Sequence, residues 1–234
     1  MERRTFLESC AAASGVAALA TLSTAWGAVP PRLHARALLV DADGAPLRAA
    51  TLATRTNYVF HYPFAGTPCF LLRLGQAVAS PVTLRREDGE SYAWNGGVGP
   101  ARSVVAFSAI CAHKLAYPTR EVSFIRYQAQ KSPSSDGDMI HCCAEHSVYD
   151  PARGARVVSG PAAQPLAAIL LEYDSAADAL HALGTVGAEQ FDAFFGKYEF
   201  KLALEHGQGK ARRPVGERAV VRELARYCRQ TIEC

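Results

Sequence analysis

From residue 33 to residue 184 the apolar residues come in short runs, and turn-forming residues cut each run off before it could build a helix of useful length. Runs that short bury a face only as strands. Candidate strands cover 34–40, 57–60, 70–74, 82–85, 104–108 and 123–127, punctuated by residues such as Gly66, Pro68, Gly75, Pro81, Gly89 and Pro100. Asp41-Ala-Asp43-Gly44 closes the first of them as a turn cluster. Residues 167–173 and 179–184 predict a hairpin joined through 174–178. The even spacing predicts a mainly β chain, an antiparallel sandwich or small barrel. With 49% apolar and 20% charged residues in 234, there is material for one generous core, and wholesale disorder is excluded. A net charge of +3 is too weak a bias for nucleic acid as the main partner.

The two ends read differently. Arg3-Arg4 ahead of an uncharged stretch from Cys10 to Val29 has the layout of a twin-arginine export signal. It predicts residues 1–29 as that signal and the periplasm as the destination. Ala25-Trp26-Gly27 offers small residues at the two positions a signal peptidase reads. A retained membrane anchor is one alternative, although the Ala/Ser/Thr/Gly content is poor for insertion; an ordinary first helix carrying the arginine pair is another. Beyond residue 188, residues 189–195 predict a short helix and 198–204 a last strand. Residues 207–216 read as a basic linker, and 217–232 place Val220, Val221, Leu224, Ala225, Tyr227 and Cys228 at helical spacing. The basic residues from Lys210 to Arg229 then form a solvated face, or a docking surface for an acidic cytochrome.

Chemistry gathers in two clusters. One is Ile110-Cys111-Ala112-His113; the other is Ile140-His141-Cys142-Cys143-Ala144-Glu145-His146. One cysteine and one histidine from each give a four-ligand set, Cys111, His113, Cys143 and His146. Thiolate and neutral imidazole are donors that suit zinc or an iron–sulfur cluster. Cys143-x-x-His146 is preferred on spacing, with Cys142-x3-His146 as the alternative. His141 reads as a strand residue pointing away, and His34, His61, His181 and His206 as surface or packing histidines. Cys69 reads as a buried thiol beside a turn. Cys228 and Cys234 on one helix would lie about 9 Å apart, too far to pair without fraying.

A third segment, Gly160-Pro161-Ala-Ala-Gln-Pro165-Leu166, follows Ser147-Val-Tyr149-Asp150-Pro151. Together these motifs resemble the Rieske iron–sulfur family over roughly residues 104–183. The resemblance implies a Rieske-type β sandwich over 33–206 with an inserted cluster-binding part, plus a short helical C-terminal extension. It implies a [2Fe–2S] cluster with Cys111 and Cys143 on one iron, His113 and His146 on the other, and the Gly-Pro loop as a cover. Two ferric ions and two sulfides carry +2, so two thiolates leave the oxidised site neutral and reduction takes it only to −1. Neutral ligands therefore raise the potential, to roughly −150 to +300 mV for such centres.

That range suits one-electron transfer from a quinol or an oxidoreductase to a cytochrome or copper protein. The implied partner is a larger redox enzyme, either a periplasmic molybdenum oxidoreductase or a membrane-anchored quinol:cytochrome c complex. A Rieske oxygenase would need a two-His-one-carboxylate iron site, and His206 is the only histidine after residue 184. A zinc-stabilised binding module is the remaining alternative. The chain also departs from the family pattern. Ala116 and Glu145 stand where many members carry a disulfide, and the segment after His146 is one residue short. Ser147 and Tyr149 are therefore expected not to donate the hydrogen bonds that raise the potential elsewhere. The loop from His113 to Cys143 is long, with 131–138 as a surface insertion. These departures predict a cluster of lower potential than in disulfide-bearing relatives.

Overall fold

The computed structural model of the protein describes residues 29–78 and 80–234. The export-signal reading falls outside them except at Val29. The chain runs through β1 (Arg32–Val40), β2 (Tyr58–His61), β3 (Pro68–Arg73), β4 (Val82–Arg85), β5 (Ser91–Trp94) and β6 (Val104–Ser108). Then come β7 (Val122–Ser123), β8 (Ile125–Gln128), β9 (Met139–Cys142), β10 (Ser147–Asp150) and β11 (Arg156–Ser159). The hairpin β12 (Ala168–Asp174) and β13 (Ala179–Val186) leads to helices α1 (Phe191–Lys197) and α2 (Glu199–His206). The last elements are β14 (Arg218–Val220), β15 (Arg222–Glu223), the single turn α3 (Leu224–Tyr227) and β16 (Gln230–Thr231). The mainly β class stands.

Eight strands make the principal sheet, in the order β14-β1-β13-β12-β6-β3-β2-β15. Its pairings are antiparallel except β1 with β14. Strands β14 and β15 lie at opposite edges, yet only Val221 separates them in the chain. The Val221 N–H donates to the Val40 carbonyl at 2.7 Å. One short segment thus joins the two edges and closes the sheet into a ring.

One face of that sheet gathers Leu39, Phe60, Tyr62, Cys69, Leu71 and Ala219 into an interior cluster. The other face, with Phe70, Leu72 and Phe107, is roofed by Leu84, Tyr92 and Trp94 of β4 and β5, and by Ile125, Ile140 and Tyr149. Because both faces are covered, β3 and β6 are unbroken apolar runs rather than alternating ones. Strands β8 to β11 form a separate sheet, in the order β11-β10-β9-β8, which supplies Ile125, Ile140 and Tyr149 to that roof.

Several expectations change. The strand expected at 123–127 is split at Phe124, whose carbonyl receives the Cys143 N–H instead of a ladder partner. The strand expected at 198–204 is helix α2. Phe200, Leu202 and Leu204 alternate as a strand would, but Phe200 and Leu204 are 78% and 73% exposed, so no second apolar layer rewards the extended form. Leucine, alanine, lysine and glutamate then favour the helix.

The C-terminal helix expected over 217–232 is three short strands and one helical turn. Ala219 and Val221 are buried while Val220 is exposed, an alternation imposed by β1 and β2 on either side. No described helix is long and apolar enough to cross a membrane.

Candidate metal centre

Strand β6 delivers the chain into the first loop. Cys111 N–H donates to the Ala116 carbonyl at 2.8 Å, and Leu115 N–H donates back to the Cys111 carbonyl at 3.0 Å, tying residues 111–116 into a tight turn. Helices α1 and α2 brace it from behind. Ile110, Leu115 and Tyr117 pack with Phe191, Phe194 and Leu202, and Gln190 Nε2 donates to the Ala112 carbonyl at 2.9 Å. The second loop is the turn of the β9–β10 hairpin, where Cys142 faces Ser147 across the ladder. His146 closes that turn with φ +57°. Gly160, at φ +90°, lies so close that a Cβ there would overlap the His146 carbonyl, so the Gly160-Pro161 loop covers the second turn.

The structure brings the two loops together at Cys111 and Cys142. Both thiols are buried and free, and they lie close enough to shift one another's titration. Cys143, preferred on spacing, is not there: its sulfur is bonded to Cys234. The physical reason is strand alternation. Cys142 is the last residue of β9 and faces the roof of the large sheet, so its neighbour in sequence turns the other way.

The thiol pair shares one proton unevenly. The hydrogen bond from Cys142 draws the Cys111 pKa down to about 6 against the opposing effect of burial, with Tyr149 and the amides of His113 and Lys114 assisting. The Cys142 thiol is correspondingly pushed up, first by holding the proton for Cys111 and then by burial. Tyr149 Oη lies 3.3 Å from Cys111 Sγ and accepts the Ala112 N–H at 3.2 Å, which leaves its own proton for the sulfur. The expectation that Tyr149 would not donate is therefore corrected: the shorter segment still lets strand β10 aim the phenol at Cys111. The Ser147 hydroxyl is buried without a partner.

His113 is half-buried, and its Nδ1 is buried with no hydrogen-bond partner. It borders a cavity of about 400 Å³ shared with Gln164, Gln190 and Phe191. His146 is exposed on the turn. Among the described residues no three His, Cys, Asp or Glu side chains already stand as a metal cage. His141 is buried and held away from the thiol pair, with Ser135 Oγ 2.8 Å from Nε2 and Ser134 Oγ 3.4 Å from Nδ1. Cys69 is the expected buried thiol, donating to the Tyr62 carbonyl at 3.0 Å. Cys228 donates to the Thr119 carbonyl instead of pairing with Cys234. Sequence reasoning weighed Cys234 only against Cys228 and missed its bond to Cys143, because nothing local to it points ninety-one residues back to the second loop.

Fold and site define a class: a mainly β protein whose two loops, distant in sequence, meet at a buried pair of free cysteines. No family model matches the chain. Among solved structures, the soluble domain of the Rieske protein II (soxF) from Sulfolobus acidocaldarius is similar, at 25% sequence identity over 67% of this chain and 84% of that chain, with a TM-score of 0.48.

Proposed function

We propose that this protein carries single electrons through a [2Fe–2S] cluster held between its two loops, with Cys111 and Cys142 as sulfur ligands and His113 and His146 as nitrogen ligands. The observation that carries this reading is the buried Cys111–Cys142 pair, contributed by loops from different sheets. The remaining groups fit such a cluster: the partnerless Nδ1 of His113 is a free donor atom, and the partnerless Ser147 hydroxyl is a hydrogen-bond donor left over in the same buried region. Bound there, the cluster supplies a one-electron couple whose charge stays between neutral and −1.

The chain's own residues supply the rest. The Tyr149 hydroxyl, 3.3 Å from the Cys111 sulfur, stabilises negative charge on it. Burial of both cysteines keeps water off their sulfurs. The two histidines lie at the more exposed margin, the side from which a redox partner would approach.

By the same reading, the twin-arginine layout at Arg3-Arg4 takes the chain to the periplasm. There it would serve a larger respiratory enzyme, of the molybdenum-oxidoreductase or the quinol:cytochrome c type, with a cytochrome or copper protein as acceptor. Purified protein is expected to be red-brown, to hold iron and sulfide in equal amounts, and to give a rhombic electron paramagnetic resonance when reduced. A colourless protein binding one zinc would overturn the reading.

A further inference from the structure

The second loop carries adjacent cysteines, and the chain's last residues decide what one of them can do. Strand β16 runs parallel to β7, with Gln230 N–H on the Glu121 carbonyl at 3.1 Å and Ile232 N–H on the Ser123 carbonyl at 2.9 Å. Arg126 pairs with Glu233 at 3.0 Å, and Arg229 with Glu121 at 2.9 Å. This strap sets the Cys234 Cα 5.5 Å from that of Cys143, a separation at which disulfides form. The Cys143 sulfur is thereby consumed, while Cys142 one position earlier keeps its thiol against Cys111.

We propose that the Cys143–Cys234 disulfide selects the ligand of the second loop: by withholding the Cys143 thiol it leaves Cys142 as the sole sulfur there able to take the place opposite Cys111. This rests on the function proposed above. The selection matters because the two cysteines compete on geometry. Cys142 has the inward position, whereas Cys143 has the two-residue spacing to His146. Closing the bond removes two protons and two electrons from Cys143 and Cys234 and passes them to a disulfide-donating oxidant, which becomes a dithiol. A dithiol reductant reverses the exchange and puts the rival thiol back beside Cys142.

The test uses the full chain purified without added thiol, with the disulfide verified by non-reducing mass spectrometry and the fold by circular dichroism. Cys142→Ser is expected to lower cluster iron at least about tenfold while the disulfide stays intact. Cys142→Ser/Cys234→Ala frees Cys143 and is expected to regain cluster, with resonance g-values unlike those of the unsubstituted protein. If the double variant does not fold, Cys142→Ser protein reduced with a phosphine before anaerobic loading with ferrous iron and sulfide opens the same thiol. Cys143→Ala is expected to keep the unsubstituted spectrum.

Retention of the cluster in Cys142→Ser with the disulfide intact overturns the inference, and so does a freed Cys143 that recovers nothing. An unsubstituted protein that never holds iron and sulfide overturns the functional reading itself, and the inference falls with it. A cluster present in the unsubstituted protein but indifferent to these changes overturns the inference alone.

Discussion

The ring sheet and the small sheet beside it share one apolar layer but are held together by different means. In the ring, β3 and β6 bury nearly every side chain on both faces, so stability is spread over a large area. In the small sheet the second loop hangs on a few directional links: one thiol pair, one phenol, one disulfide and a glycine without room for a Cβ. The difference teaches where substitutions should act. Changes in the ring should move stability and spare the site's chemistry, whereas changes at the links should do the reverse.

The sharpest way to break that division is Cys111→Ser. It is expected to abolish cluster iron and visible absorbance while the unfolding midpoint of the metal-free protein moves little; a large drop in that midpoint would show the thiol pair to be part of the framework. Phe107→Ala attacks the other side. Phe107 is fully buried against Trp94, and its truncation is expected to cost about 3–5 kcal/mol in urea unfolding. Any cluster that forms in the folded fraction should keep its resonance spectrum.

Where α2 and α3 dock on the ring, His61 gives a pH-dependent version of the same contrast. Burial, then the nearby His206, Arg120 and Arg222, bring its pKa from 6.5 down to about 4, while Tyr227 Oη stands 3.3 Å from Nε2. The folded state holds this imidazole neutral and the unfolded state protonates it. Its contribution is therefore whole above about pH 6.5 and is lost as pH falls towards 4, by up to about 3 kcal/mol. His61→Phe should flatten that part of the stability–pH curve; an unchanged slope would mean the loss comes from elsewhere. The smallest expected effect is Tyr149→Phe. Losing one hydrogen bond to the Cys111 sulfur is worth about 1 kcal/mol, a fall of roughly 40 mV in midpoint potential for a one-electron couple. An unmoved potential would show that the phenol does not donate to that sulfur in the loaded protein.

Legibility in the sequence followed the same line. The β12–β13 hairpin was readable because its pairing is local and its connection is made of turn residues. The strands of the ring were readable from their apolar runs, but its closure was not: Val220 to Tyr227 fit helical spacing, and only the flanking β1 and β2 force the extended form. At the site, spacing found both loops yet favoured Cys143 over Cys142. Spacing counts residues, whereas the alternation of β9 decides which sulfur faces inward. The helices that brace Cys111 could be found in part from Phe191, Phe194 and Phe195, but not what they press on.

Ring closure by residues 218–223 also bears on how the molecule comes into being. A sheet zipped at both margins by one segment leaves no long row of unpaired amides to recruit a second chain. That protection arrives only after strands near opposite ends of the described chain have met, a search that makes folding slow and strongly all-or-none. Until Val221 seats on Val40, β1 and β2 are open margins, and crowding at that stage is when this protein would aggregate.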